Sequence, residues 1–172
     1  ASDDGTGIVQ SIEVLRVLKT IGYKPKRTIR IVLFANEENG LRGGNKYAEE
    51  AKIKNEKHVM AMESDGGAEF PRGFSCGMTK AQFAKVQGWT KYFEPFDAAK
   101  FSFNEGGGGG ADIGPLQTLF KTAQFGLSTT GQRYFDVHHA PSDVFEKVHA
   151  QELNLCSTLM AIMVYLVDKY GL

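Results

Sequence analysis

Four short stretches hold the side chains suited to metal and proton chemistry. They are Asp3-Asp4 in ASDDGTG, Glu37-Glu38 in IRIVLFANEENG, Glu63-Ser64-Asp65 in VMAMESDGG, and His138-His139 in YFDVHHAPSD. Two adjacent carboxylates at the mouth of a buried strand cost energy unless a cation holds them. In open α/β sheets the C-terminal strand edge is also where ligands sit. One carboxylate of the Glu37-Glu38 pair is therefore expected to bind metal and the other to handle a proton. Paired histidines in a loop, with Asp143 close behind, suit a metal ligand with acidic support, since a ligating imidazole commonly donates its other N–H to a carboxylate or carbonyl. The candidate ligands are then Asp3, Glu37 or Glu38, Asp65 and His139. Mixed carboxylate and imidazole donors suit zinc, and several carboxylates with one able to bridge suit a pair of ions. Taken singly, each stretch has a plainer reading as an acidic turn, a helix cap or a solvated loop.

The elements that must position these groups follow from periodicity. Ile8, Ile12, Leu15, Leu18 and Ile21 fall near helical spacing, and Gly22 supplies the stop. Asp3 and Asp4 thus precede a helix N-terminus, where free N–H groups favour anions. Ile29–Phe34 (IRIVLF) has the composition of a strand buried mid-sheet and leads into the Glu pair. A polar helix is expected over Asn45–Asn55. His58–Met62 reads as a short buried strand, ending, like the first, in carboxylates and glycine. Gly73–Thr79 is turn-rich and fits a short strand or hairpin. Phe83, Val86, Thr90 and Phe93 mark a helix closed by Pro95, and Phe101–Phe103 alternates as a strand does. Gly106–Gly110 matches neither a dinucleotide fingerprint nor a Walker loop, so it reads as a flexible turn that lets Asp112 approach the site. A short helix at Leu116–Phe120, a strand at Phe125–Thr129 and a strongly apolar helix over Ala150–Tyr170 complete the chain. The alternation of helix, strand and carboxylates predicts an α/β fold, a three-layer αβα sandwich around a mostly parallel or mixed sheet.

Composition bounds the function. The 172 residues fit a single domain, and 42% hydrophobic with 23% charged residues is a globular balance. Twenty basic and twenty acidic residues cancel, so no electrostatic case exists for nucleic acid or an anionic membrane. The apolar run Leu159–Val167 is far short of the about 20 residues of a membrane span. Cys76 and Cys156 say nothing of redox compartment, and Cys156 fits a small core residue. The chain opens on Ala1 without a methionine, as a piece of something longer would, with N-terminal strands missing.

DDGTG, the Glu37-Glu38 pair, ESDGG and HHAPSD, in this order, resemble the M28 family of zinc peptidases. Within it the likeness is to the carboxypeptidase Q group, through KPKRTIRIVLFANEENG, VMAMESDGG and the double histidine, and it runs over nearly the whole chain. The resemblance implies that Asp3 bridges two zinc ions and that Glu37 is the general base deprotonating the attacking water. Glu38 matches a ligand to one zinc. Asp65 rather than Glu63 matches a ligand to the other, and His139 rather than His138 the last ligand. Asp4 and Asp143 match supporting positions behind the ligands.

The family also carries a His ahead of the DD pair, upstream of Ala1. The ligands present therefore imply Asp3, Glu38 and His139 on one ion but only Asp3 and Asp65 on the other, hence one zinc or none. The function implied is a metallo-aminopeptidase or dipeptidase acting on small peptide substrates, exported to a periplasmic or extracellular space. The alternatives are a non-catalytic homologue acting as a binding domain, and a one-zinc, aminoacyl-transferring cyclase on the same fold.

Overall fold

The computed structural model describes residues 1–172. Helix α1 (Gly5–Thr20) starts at Asp4, whose side chain accepts the Gly7 N–H at 3.0 Å, satisfying one of the N-terminal donors a helix leaves free. Helix α2 (Arg42–Ile53) follows the Glu pair directly, and β1 (Met60–Glu63) leads to the Asp65 loop. Strand β2 (Pro71–Gly77), helix α3 (Lys80–Gln87) and β3 (Lys100–Asn104) come next. They are followed by α4 (Gly114–Phe120), β4 (Ala123–Thr129), the single turn α5 (Tyr134–Val137) and the long α6 (Ala150–Tyr170).

The sheet runs β1-β4-β2-β3. β1 pairs parallel with β4, β2 pairs parallel with β3, and β2 and β4 pair antiparallel with Cys76 opposite Phe125, so the sheet is mixed. Strand β1 shows how the two faces are covered. Met60 and Met62 pack on the main core, with Val14 and Leu18 of α1 and Leu159, Met163 and Leu166 of α6. Ala61 faces the other way, onto Ala48 and Ala51 of α2 and Leu116 of α4. That alternation is the period of two of a strand covered on both faces, and it makes the three layers.

Helix α6 spans 21 residues, long and apolar enough to cross a membrane by length and composition, so the shorter apolar run understates it. Half of its most apolar window is buried within the molecule, against α1 and the sheet. An apolar face turned onto a core is the pattern of an internal helix.

Two expectations are corrected and one alternative is decided. Ile29–Phe34 is not a strand, and none of the backbone–backbone hydrogen bonds involves residues 29–34. A cavity of about 390 Å³ lies along this segment, lined by Ile29, Ile31 and Val32 on one side and Met60 and Met62 of β1 on the other. An apolar, β-branched run favours an extended backbone, but a ladder needs a neighbour at strand distance. Of the two readings of Gly73–Thr79 the structure takes the strand, as the seven-residue β2, which is buried on both faces, so no alternation shows in its sequence. The helix expected to reach Pro95 stops at Gln87, where Gly88 closes α3 and two 3-10 turns, Thr90–Tyr92 and Glu94–Phe96, take over.

Candidate metal centre

The four stretches converge at one edge of the molecule. Asp3 sits just before α1, held by its backbone: its N–H donates to Asp143 Oδ2 at 3.0 Å, and the Ser2 N–H donates to Asp143 Oδ1 at 2.7 Å. The carboxylate expected to support an imidazole therefore fastens the opposite ligand loop. Glu37 and Glu38 lie in a tight turn, where the Gly40 and Leu41 N–H groups donate to the Glu37 carbonyl at 3.1 and 2.8 Å. Asp65 follows β1, and His138 and His139 follow α5.

His139 Nε2 stands 3.1 Å from Asp3 Oδ2 and 2.6 Å from Glu38 Oε1. His138 Nε2 lies 3.4 Å from the same Asp3 oxygen, and the two imidazoles stack with centroids 3.8 Å apart. Asp3, His138 and His139 can each offer a ligand atom, all within 4.8 Å of one another. Mixed oxygen and nitrogen donors at this spacing fit zinc.

Electrostatics points the same way. Asp3, Asp4, Glu37, Glu38, Glu63, Asp65 and Asp112 gather here, and no Lys or Arg forms an ion pair with any of them. Loss of solvent, then Asp3 and Glu37, push the Asp65 carboxyl up to about 6. Burial and then Asp65 push Asp4 up to about 7. Acids crowded without a basic partner hold protons they would otherwise release, and a multivalent cation removes that cost.

Glu63 is engaged elsewhere. Its two oxygens accept the N–H groups of Ala111 at 2.7 Å and Ile113 at 3.0 Å, fastening the glycine-rich segment rather than facing the histidines. Tyr134 was not singled out from the sequence. Its hydroxyl donates to the Asp65 carbonyl at 3.2 Å, and its ring lies 4.8 Å from that of His138. The available signal was its place four residues before His138, one turn along the short α5.

An α/β sandwich that gathers carboxylates and imidazoles from the loops at one edge is an arrangement suited to metal-assisted hydrolysis. The sequence matches Peptidase family M28 over residues 1–164, and the chain belongs to that family. It is 32% identical over 169 residues to mouse carboxypeptidase Q, covering 97% of this chain and 35% of that protein. The human carboxypeptidase Q is 28% identical, with 97% and 34% covered. The crystal structure of a peptidase M28 precursor from Shewanella amazonensis SB2B superposes with a TM-score of 0.89 at 32% identity, over 96% of this chain and 37% of that one. Legionella LapA, at 18% identity and a TM-score of 0.70 over 98% of this chain and 48% of that one, shares the fold. The chain thus spans about a third of the length of the curated relatives it matches.

Proposed function

We propose that this chain carries the catalytic centre of a zinc-dependent exopeptidase acting on small peptides. In this reading Glu37 is the general base, and Asp3, Glu38, Asp65 and His139 are metal ligands. The observation that carries it is His139 Nε2 lying between Asp3 and Glu38, with Glu37 adjacent in the chain, in a carboxylate cluster that no Lys or Arg neutralises. Zinc bound there would polarise the peptide carbonyl and acidify water.

The chain's own residues do the rest. Glu37 accepts the proton of the attacking water and later hands it to the leaving amine. Asp143, through the Ser2 and Asp3 N–H groups, keeps the Asp3 carboxylate in place, and Tyr134 steadies the Asp65 loop through its carbonyl. Small peptides with a free N-terminus were expected, whereas the named relatives are carboxypeptidases. Dipeptides reconcile the two, because removing the residue at either end breaks the same bond. Export to a periplasmic or extracellular space is part of this reading by likeness to the family.

The test uses the protein as encoded, with free, N-blocked and C-blocked dipeptides and the Glu37→Gln variant. Hydrolysis of free dipeptides should fall at least ~100-fold in the variant, with zinc retained. Activity surviving within a few-fold would remove Glu37 from the base role. A second reading, a one-zinc centre serving a binding or cyclising protein, is favoured by the single cluster formed by Asp3 and the histidines. Zinc binding without hydrolysis of any dipeptide would select it.

A further inference from the structure

Helix α1 turns an unexpected residue inward. Its buried stripe runs Thr6, Gln10, Val14 and Leu18, while Ile8 and Ile12 remain 41% and 50% exposed. Residues four apart lie on one face of a helix, so Gln10 stands in line with core positions yet carries an amide. Gln10 and Ser64 are both buried, and the Ser64 hydroxyl donates to Gln10 Oε1 at 2.6 Å. Gln10 Nε2 has no hydrogen-bond partner. An amide buried with half of its hydrogen-bonding capacity unused costs stability that an apolar side chain of the same size would not. Native structures carry few such groups, and stability gives no account of this one.

The place of Gln10 between two candidate ligands does account for it. Asp3 is tied to the first turn of α1, because the Thr6 hydroxyl donates to the Ser2 carbonyl at 2.8 Å and the Thr6 N–H to the Ala1 carbonyl at 3.1 Å. One turn further on, Gln10 holds Ser64, the residue before Asp65. Between them, Gly7 lies so close to the Ser64 carbonyl that a Cβ there would overlap it. Thr6, Gly7 and Gln10 thus make one buried face, with Asp3 at its start and the Asp65 loop against its side. The other sides of that loop are already fixed, by Glu63 on the N–H groups of Ala111 and Ile113 and by Tyr134 on the Asp65 carbonyl. The bond from Ser64 to Gln10 is the side-chain hydrogen bond that joins the loop to α1.

Resting on the reading of Asp3 and Asp65 as metal ligands, we infer that Gln10 is a positioning residue for the metal centre: with Ser64 it forms a buried polar joint that sets the separation of the Asp3 and Asp65 carboxylates. Ligands carried on separate elements bind an ion well only when the gap between them is fixed in advance, and groups behind the ligands supply that fixity. A hydrogen bond suits the task because its length and direction are defined. A flexible apolar side chain would fill the same space without fixing it. The buried amide is a cost to folding that ligand geometry offsets.

The experiment compares the double variant Gln10→Met/Ser64→Ala with Asp65→Ala and with all three changes together, in the protein as encoded. Met keeps the length of Gln, and removing both partners at once leaves neither unpaired, so the fold should persist. Zinc affinity is read by competition with a chromophoric chelator, and the Tm of the metal-free protein by thermal melts. The double variant should bind zinc about 10-fold more weakly, the usual scale for groups behind metal ligands, while its metal-free Tm stays at or above wild type. With Asp65→Ala already in place, the double change should weaken binding no further, as expected when both act through one ligand. Zinc affinity within twofold of wild type in the double variant, beside clear weakening by Asp65→Ala, overturns the inference and leaves the ligand set intact. A metal-free Tm below wild type also overturns it, making the pair a structural bond. Equal weakening with and without Asp65 overturns it too, because the joint would then act elsewhere. Unchanged zinc affinity in Asp65→Ala would instead remove Asp65 from the ligand set, and the inference with it.

Discussion

His138 and His139 are neighbours in the chain, yet the fold gives them different reach. His139 meets both Asp3 and Glu38, at 3.1 and 2.6 Å, whereas His138 reaches only Asp3, at 3.4 Å, and lies against Tyr134. His139→Ala should therefore lose most of the zinc, and His138→Ala should keep most of it. The same logic separates Glu63 from Asp65. Asp65→Ala should reduce zinc content, while Glu63→Ala should leave the ion and lower Tm, because the Ala111 and Ile113 N–H groups lose their acceptor. Elemental analysis and thermal melts of the four variants decide it; greater zinc loss at His138 or Glu63 would shift the assignment by one or two residues.

At the scale of elements, the segment after α1 is tied to the far end of α6 by one buried acid. Asp168 accepts the Tyr23 hydroxyl at 2.7 Å and the N–H groups of Lys26 at 2.8 Å and Arg27 at 3.0 Å. Burial alone would raise its carboxyl, but these donors outweigh it and hold the group below its usual range. A carboxyl lowered in the folded state stabilises fully above the unfolded value of about 3.9, and that contribution is lost as pH falls through the lower folded value. Asp168→Ala should cost about 1–3 kcal/mol at pH 7, since it removes the shared acceptor of three part-buried donors. The difference from wild type should shrink as urea melts are taken from pH 5 downward. A gap that stays constant to pH 2 would mean the effect is packing rather than charge.

For the whole molecule, the balanced total of twenty basic and twenty acidic residues conceals a local excess of negative charge at the candidate metal centre. A cation bound only by the folded chain stabilises it, by about 4 kcal/mol when free zinc is a thousandfold above Kd. For a chain of this size that is a rise in Tm of about 8–16 °C, reversed by a chelator. In the proposed assignment the ligands divide unequally, Asp3, Glu38 and His139 serving one ion and Asp3 and Asp65 a second. Calorimetric titration of the metal-free 172-residue chain should accordingly give at most one tight zinc. Two tight ions would require another ligand, with Asp4 or His138 nearest to hand.

What the sequence determined by itself was local. The period of α6 and its start at Ala150 are legible because a helix satisfies its backbone within its own residues. The four acid and histidine stretches are legible because adjacent carboxylates beside apolar runs are hard to account for without a cation. The approach of Asp112 could also be read, from glycines that fit no phosphate loop. Only the tertiary structure decided matters of partnership. Ile29–Phe34 has a strand's composition yet makes no ladder, because a ladder belongs to two segments and composition describes one. Strand β2, buried on both faces and paired antiparallel to β4, lacks the alternation that would have announced it. The reach of His139 toward Glu38, the turn of Glu63 toward the glycine segment and the meeting of Gln10 with Ser64 are distances between residues far apart in the chain. Such distances are set by packing, on which local pattern is silent.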